Sequence, residues 1–245
     1  MRKQILAVMV GLSVVLSGCS TQSTESMLQD VKKNTKEIKS GKIAMHMSTK
    51  IEKSGSSVEQ YIDMNGDEKF DPLEASLKGK FSVNGKEIEG EDCYKDGVYY
   101  SRIGSQWIRK KAPADNENWF NFKEKSLNMK DEVLSLLDNK DNWDTSKDGD
   151  KITFKLKKTD ELNAKIKEEY VKIFKHEKES FDIDYIVEYV YNKKTKKVEK
   201  LVYELNSKGK ATSVLLTAKG TLEEVNKEVK IEVPEENKSA VGVKN

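Results

Sequence analysis

Apolar and polar residues alternate along several stretches of this chain, and this alternation constrains its fold more than any other feature. In the first such stretch every second position is occupied by Ile43, Met45, Met47, Thr49 and Ile51. Successive side chains of a β-strand point to opposite faces of the sheet, so a period of two predicts a strand with one buried face. Asn84-Gly85 and Asp96-Gly97 follow later stretches and favour tight hairpins. Strands joined by such short turns pair antiparallel.

Helical spacing separates two runs of predicted strands. Leu162, Ile166 and Tyr170 recur every four residues after Asp160, which is typical of an amphipathic helix. An apolar region between positions 115 and 138 predicts one broken helix or two, and it contains Trp119 and Phe120. A further helix precedes the first strand, and Thr24 or Ser26 is its predicted N-cap. The last predicted strand contains Val225, Val229, Ile231 and Val233.

The predicted order is one helix, about five strands, helices, a strand pair, another helix and four strands. Helices that cluster between runs of antiparallel strands are typical of the α+β class. We expect one large, strongly bent antiparallel sheet, an incomplete barrel, with the helices packed on its concave side. A split into two domains between residues 138 and 150 would leave each half with a thin core, and a single domain over residues 27–234 is therefore preferred.

The N-terminus has the anatomy of a secretory signal. Arg2 and Lys3 precede an apolar stretch over residues 5–16, which is shorter than the about 20 residues that a spanning helix needs. The ending Leu16-Ser17-Gly18-Cys19 resembles the bacterial lipobox. This resemblance implies that residues 1–18 are removed, that Cys19 carries a diacylglyceryl lipid, and that the protein is anchored at the extracytoplasmic face of the cell membrane. Residues 19–26 would then form a lipidated tether, and residues 235–245 a frayed tail.

The charge balance argues against nucleic acid as a partner. The chain has 44 basic and 42 acidic residues, and two of the basic residues lie in the predicted signal. The remaining chain therefore carries 42 residues of each sign, interleaved as on a solvated surface. Cys93 is the one cysteine besides Cys19, so the folded domain cannot form an internal disulfide. We expect Cys93 to be a half-buried strand residue.

Three local patterns are similar to those of uncharacterised lipoproteins of Firmicutes, which are Gram-positive bacteria. They are Lys39-Ser40-Gly41 before the Met-rich strand, Asp71-Pro72-Leu73-Glu74-Ala75, and the stretch Tyr94–Tyr100 followed by Trp107-Ile108. The order of elements resembles the LolA-like fold of envelope lipoprotein carriers and mycobacterial lipid-binding lipoproteins. That resemblance implies a bent half-barrel closed by helices. It does not imply one function, because the fold hosts carriers, regulators and proteins of unknown role.

The Met-rich face of the first two strands is the best candidate for a binding site. It is predicted from alternation to contain Ile43, Met45, Met47, Ile62 and Met64. Methionine side chains are flexible and polarisable, which suits an adaptable apolar site. The alternative is that the helices fill this space and that the five residues belong to an ordinary core.

The sequence predicts no metal site, no cofactor and no enzyme activity. Residues 63–74 place acidic or amide side chains at calcium-loop positions, but Glu68 stands where the loop needs glycine and the flanks are strand-like. His46 and His176 lie in different elements without a ligand set around them. Gly-x-Ser-x-Gly, phosphate-loop and dinucleotide motifs are absent from the sequence.

Two functions therefore stay open at the level of sequence. One is a lipid-anchored protein that binds or carries an apolar ligand, such as a lipid or acyl chain, at the membrane surface. The other is an envelope-sensing or protein-interaction lipoprotein that contacts a membrane protein and has no small-molecule ligand. An empty cavity beneath the helices would favour the first, and a filled core with an exposed apolar patch would favour the second.

Overall fold

The protein forms an open, mostly antiparallel sheet with few helices. A computed structural model describes residues 22–53, 56–111, 122–174, 181–209, 214–235 and 241–242. The predicted signal, Cys19, Trp119, Phe120, His176 and most of the predicted tail lie outside these residues.

The strands have the following bounds. They are β1 (Ser40–Lys53), β2 (Ser56–Phe70), β3 (Leu73–Val83), β4 (Lys86–Lys95), β5 (Val98–Ile103), β6 (Gln106–Lys111), β7 (Trp143–Asp148), β8 (Lys151–Leu156), β9 (Phe181–Asn192), β10 (Lys197–Gly209), β11 (Val214–Glu223) and β12 (Val241–Gly242). The α-helices are α1 (Thr24–Lys36), α2 (Phe122–Lys125), α3 (Asp131–Ser135) and α4 (Asp160–Phe174). Single 3₁₀ turns at Leu127–Met129, Leu136–Asp138 and Lys140–Asn142 join α2 to β7.

All these strands belong to one sheet with the order β12-β6-β5-β4-β3-β2-β1-β11-β10-β9-β8-β7. Neighbours pair antiparallel, except that the two-residue β12 pairs parallel with β6. Because β11 pairs with β1, the two runs of strands along the chain form one continuous sheet. The α+β class and the antiparallel sheet are confirmed, and the sheet is not closed.

The helices contact one face of this sheet, which we call the helix face. It is defined on β9 by Tyr185, Val187, Tyr189 and Tyr191, all at most 2% exposed. Tyr191 donates a hydrogen bond to Asp30 of α1 (2.7 Å). Met27, Leu28 and Val31 of α1 join the same core. The centre of the hydrophobic core therefore lies between β8–β10 and the helices.

A buried amide fixes the 3₁₀ turn that follows α2. Asn128 Nδ2 donates to the carbonyl oxygens of Glu188 (2.9 Å) and Val202 (3.0 Å) on two neighbouring strands. Tyr189 Oη donates to the Asn128 carbonyl at 2.6 Å. These bonds hold the turn against the helix face.

The turn predictions are confirmed at the hairpins. Asn84 and Gly85 have φ values of 50° and 77°, and Asp96 and Gly97 have 51° and 74°. Positive φ at both central residues is the geometry of a type I′ turn, which matches the twist of the flanking strands.

Two predictions at element ends are wrong. Ser23, not Thr24 or Ser26, caps α1, because its side chain accepts the N–H of Ser26. No strand forms over residues 225–233 of the described chain. That segment leaves the sheet after Glu223 and crosses the opposite, outer face, where Lys95 Nζ donates to the Ile231 carbonyl at 2.8 Å. Ile231 and Cys93 are buried there, at 1% and 0% exposed, and form a small second core, whereas Val225 at the start of the segment packs against the main core.

Candidate functional site

The strand register brings the five predicted site residues onto the helix face. Met45 is the Cα partner of Met64, Met47 of Ile62, and Ile43 of Gly66. Partners across antiparallel strands point to the same side of the sheet. On the other flank Ile43 is the partner of Leu222, which is the partner of Leu201 in the core. The Met-rich face is therefore continuous with the face that the helices cover.

Burial changes steadily along this face. Ile43 and Met64 are 2% and 6% exposed and belong to the core. Met45 and Ile62 are half-buried and pack against that core. Met47 is 39% exposed. Ile43 and Met64 are therefore ordinary core residues, as the alternative predicts. Met47 at the other end of the face is exposed to solvent.

The open end carries a set of exposed large apolar side chains, which we call the open patch. They are Met47, Ile51, Val58, Val83 and Ile88, each 38–51% exposed. Ile51 is the partner of Val58, and Phe81 lies between Ile62 and Ile88 in the register. The sequence supplied the signal for the first two strands. The contribution of β3 and β4 was missed, because only the register shows that Val83 and Ile88 join the same surface.

The open patch is large enough for an alkyl chain. From Met47 on β1 to Ile88 on β4 there are three strand spacings, about 14 Å. From Met47 to Ile51 there are four residues of one strand, about 13 Å. The rectangle that they outline has an area of about 180 Å², and the polar residues Thr49, Gln60 and Lys86 occupy part of it. Burial of the full rectangle and of an equal area of ligand would contribute roughly 9 kcal/mol at 25 cal/mol per Å², which is an upper limit before the costs of association are subtracted.

Close packing at glycines shapes the sheet beside the open patch. A Cβ added to Gly79 would lie 1.7 Å from the Asp63 carbonyl oxygen, and one added to Gly220 would lie 2.2 Å from the Tyr203 ring. Glycine at such positions lets neighbouring backbone or side chains approach closely. The Tyr203 ring occupies the space above Gly220 and also contacts Phe122, with ring centroids 5.9 Å apart.

A buried carboxyl group marks the edge of the covered region. Glu68 lies on the helix face of β2 and is 0% exposed. Its Oε1 accepts the backbone N–H of Phe122 at 3.0 Å, and its Oε2 has no hydrogen-bond partner among the described residues. Desolvation raises the pKa of this carboxyl well above its usual value. Glu68 therefore ties the start of α2 to the sheet through a buried carboxyl group.

The helix face becomes polar towards β5. Asp92 is 3% exposed and accepts a hydrogen bond from Tyr99 Oη at 2.6 Å. Burial raises the pKa of Asp92, and its hydrogen bonds to Ser101 and Tyr99 oppose this effect. Asp92 is the Cα partner of the buried Leu77, so this polar pair lies at the covered end of the helix face and not beside the open patch.

The outer face offers a weaker candidate. A cleft of about 320 Å³ crosses β10, β11, β1 and β2 and is lined by His46, Asp63, Glu204 and Lys219 among others. His46 Nδ1 lies 2.7 Å from Asp63 Oδ1, and Lys219 Nζ lies 3.0 Å from Glu204 Oε1. The charged groups pair with one another across neighbouring strands, as on a solvated surface.

A second cleft, of about 880 Å³, lies at the end of α1. It is lined by side chains of both charges, including Glu37, Lys39, Asp71 and Lys197. Its acidic and basic groups nearly balance in number, so the cleft favours neither an anionic nor a cationic ligand.

The described residues contain no group of three or more histidine, cysteine or acidic side chains placed to hold a metal ion. Residues 63–74 form the end of β2, a turn and the start of β3, as the sequence predicted when the calcium loop was rejected. Cys93 is more buried than predicted, and burial raises the pKa of its thiol to about 11. Such a thiol is a poor nucleophile.

Fold and site together define a class of protein: an open antiparallel α+β sheet whose helix face is partly covered by helices and partly exposed as an apolar surface. The chain belongs to the family of unknown function DUF6612, whose model matches residues 23–241. This confirms an uncharacterised family, and the resemblance to lipoprotein carriers stays a prediction. No curated protein matches the chain.

Two solved structures are similar over most of their length. LprF from Mycobacterium bovis has 14% identity and a TM-score of 0.43, over 86% of this chain and 96% of that one. A DUF1329 family protein from Desulfovibrio piger has 8% identity and a TM-score of 0.27, over 85% of this chain and 96% of that one. Among the residues described here, no helix combines the length and apolarity needed to cross a bilayer.

Proposed function

We propose that this protein is a lipid-anchored, extracytoplasmic binding protein that holds an apolar ligand, a lipid or acyl chain, on its helix face. One observation carries the proposal: five large apolar side chains of four adjacent strands are exposed together in the open patch. The five side chains lie on one face of four adjacent strands, so one extended apolar ligand can contact all of them. The patch continues into half-buried Met45 and Ile62, so a ligand would meet flexible side chains at its inner end.

The proposed mechanism is partition of the apolar chain from the membrane onto the open patch. The lipid on Cys19 would keep the domain at the membrane surface, where such ligands are concentrated. The helices on β8–β10 would form the rigid wall of a concave site. The protein would act without catalysis and without a cofactor.

The ligand is tested by recovery of small molecules that co-purify with the full chain, followed by native mass spectrometry. Met47→Asp places a charge in the open patch at a side chain that is 39% exposed, so the fold should tolerate it. Leu215→Asp is the matched control, because Leu215 is 42% exposed but lies on the outer face as the partner of Lys50. We expect a bound lipid in the wild type and in Leu215→Asp, and its loss in Met47→Asp.

The proposal is wrong if the wild type carries no ligand and binds none after incubation with lipids extracted from the cell envelope. Met64→Asp is not a suitable test, because Met64 is 6% exposed and a charge there would unfold the core. The anchor is tested separately by metabolic labelling with an alkyne analogue of palmitate. Labelling should be lost in Cys19→Ala, and the protein should leave the membrane fraction.

A second candidate function is a protein-interaction or envelope-sensing lipoprotein without a small-molecule ligand. The observation that favours it is that the apolar surface is open and lies beside the helices, while the core beneath them is filled by side chains such as Phe122 and Tyr189, both 0% exposed. In that case Met47→Asp would abolish crosslinking to a membrane protein, and no lipid would be recovered from the wild type.

A further inference from the structure

A row of polar side chains lies on the helix face within the open patch. Thr49 is the Cα partner of Gln60, Gln60 of Val83, and Val83 of Lys86. We call Thr49, Gln60 and Lys86 the polar row. It lies one level towards the hairpin ends from the band of Met47, Ile62, Phe81 and Ile88, so the patch combines an apolar band with a line of hydrogen-bond donors.

The polar row has no partner among the residues that the structure describes. Within the described part of the chain, none of its three side chains forms a hydrogen bond or an ion pair, and none has an interaction of another kind. Lysines on the outer face of the neighbouring strand β3 differ in this respect. Lys80 lies 3.0 Å from a Glu87 oxygen and Lys78 lies 3.3 Å from a Glu91 oxygen. Lys86 therefore offers an uncompensated positive charge to whatever occupies the open patch.

Geometry allows one small group to meet all three side chains. Thr49 and Gln60 are on adjacent strands, about 5 Å apart, and Lys86 is two further strand spacings away, about 10 Å. The long lysine stem can lie along the apolar surface of Val83 while its ammonium group reaches back towards Gln60. A hydroxyl, an amide and an ammonium group all donate hydrogen bonds, so the common partner would be an acceptor with negative charge.

We propose that the ligand is an amphiphile with a long alkyl chain and a small anionic head, a carboxylate or a phosphate, with the chain on the open patch and the head on the polar row. This inference rests on the proposed function and names the chemical class of its ligand. Charge complementarity with Lys86 selects the anionic head over a neutral or cationic one. The apolar band of Met47, Phe81 and Ile88 selects the alkyl chain.

The test uses the full chain in isolated membranes and three diazirine-bearing probes of equal chain length. The probes are hexadecanoic acid, hexadecyl phosphate and hexadecanol, and crosslinked peptides are located by mass spectrometry. We expect the two anionic probes to label strands β1–β4 at lower concentrations than the alcohol. The anion with the lower half-maximal concentration identifies the head as carboxylate or phosphate.

Lys86→Gln should raise the half-maximal concentration of the anionic probes about three- to tenfold, as expected for a partly exposed charge-assisted hydrogen bond. It should leave the alcohol unchanged, and Lys86→Arg should restore the wild-type values. Lys208→Gln is the matched control, because Lys208 is exposed at the same end of the sheet but on the outer face, as the partner of Leu215.

The outcomes separate this inference from the proposed function. Equal labelling of the patch by all three probes, unaffected by Lys86→Gln, would overturn the anionic head and leave an apolar ligand in place. Absence of labelling of β1–β4 by every probe would overturn the proposed function itself. Loss of labelling by the alcohol as well in Lys86→Gln would show that the side chain acts on the fold and would also refute the inference.

Discussion

Replacement of Glu68 by glutamine tests how the covered part of the helix face is held. Glu68 is wholly buried, its Oε1 accepts the N–H of Phe122, and its Oε2 has no partner among the described residues. Glutamine has nearly the same shape and keeps a carbonyl oxygen that can accept the Phe122 N–H. It carries no charge at any pH, so the substitution isolates the effect of ionisation.

The sign of the pH dependence follows from the raised pKa. An acid whose pKa is higher in the folded chain than in the unfolded chain binds its proton more tightly when folded. The free energy of unfolding therefore falls as the pH rises from the unfolded pKa, near 4.5, towards the folded pKa. The steepest slope for one group is about 1.4 kcal/mol per pH unit. Between pH 4.5 and pH 7 the ionisation of Glu68 lowers the unfolding free energy of the wild type by at most about 3 kcal/mol. Glu68→Gln cannot ionise at this position, so its unfolding free energy lacks this decrease.

The assay is urea unfolding of both proteins at several values between pH 4.5 and pH 8. We expect similar unfolding free energies at the acidic end, and a growing advantage of Glu68→Gln as the pH rises. Asp92, whose pKa burial also raises, contributes the same slope to both proteins and cancels in the difference. Glu59→Gln controls for a change of charge at an exposed position of the same strand. Parallel pH profiles for wild type and Glu68→Gln would refute a raised pKa for the buried Glu68 carboxyl group.

Three further predictions concern packing and reactivity. Gly220→Ala should destabilise the protein by about 1–3 kcal/mol in thermal unfolding, because the new methyl would lie 2.2 Å from the Tyr203 ring; an unchanged midpoint would contradict the packing. Asn128→Ala should cost about 2–4 kcal/mol in urea unfolding, because the carbonyls of Glu188 and Val202 lose their donor; a cost below about 1 kcal/mol would mean that water replaces it. Cys93 should be alkylated slowly by iodoacetamide in the native protein at pH 8 and rapidly in urea, because burial raises the pKa of its thiol to about 11; mass spectrometry that shows equal rates would disprove its burial beneath residues 231–232.

The sequence predicted the strands of the first half well because their determinants are local. Alternation set the faces of β1 and β2, and Asn84-Gly85 and Asp96-Gly97 set hairpins that need positive φ at both central residues. The same alternation misled the prediction for residues 225–233. Alternating apolar residues bury one side of any extended segment, and here that side lies on the outer face over Cys93 instead of in the ladder.

The structural role of Glu68 could not be predicted from the residues around it. In the sequence, Glu68 was only the residue at which the calcium-loop pattern fails. Its role depends on Phe122, 54 residues further along the chain, and no periodicity or turn signal reports such a contact.

For the candidate site, too, one part could be predicted from the sequence and another part required the tertiary structure. The sequence by itself determined that Ile43, Met45 and Met47 share one side of their strand and that Ile62 and Met64 share one side of theirs, because a strand repeats every two residues. The register then puts the two sides on one face of the sheet. Only the tertiary structure decided that Ile43 and Met64 lie under the helices and that Met47 lies in the open with Val83 and Ile88. The physical reason is that a side chain's direction is set by its own strand, whereas its burial is set by segments far away in sequence that pack over it or leave it uncovered.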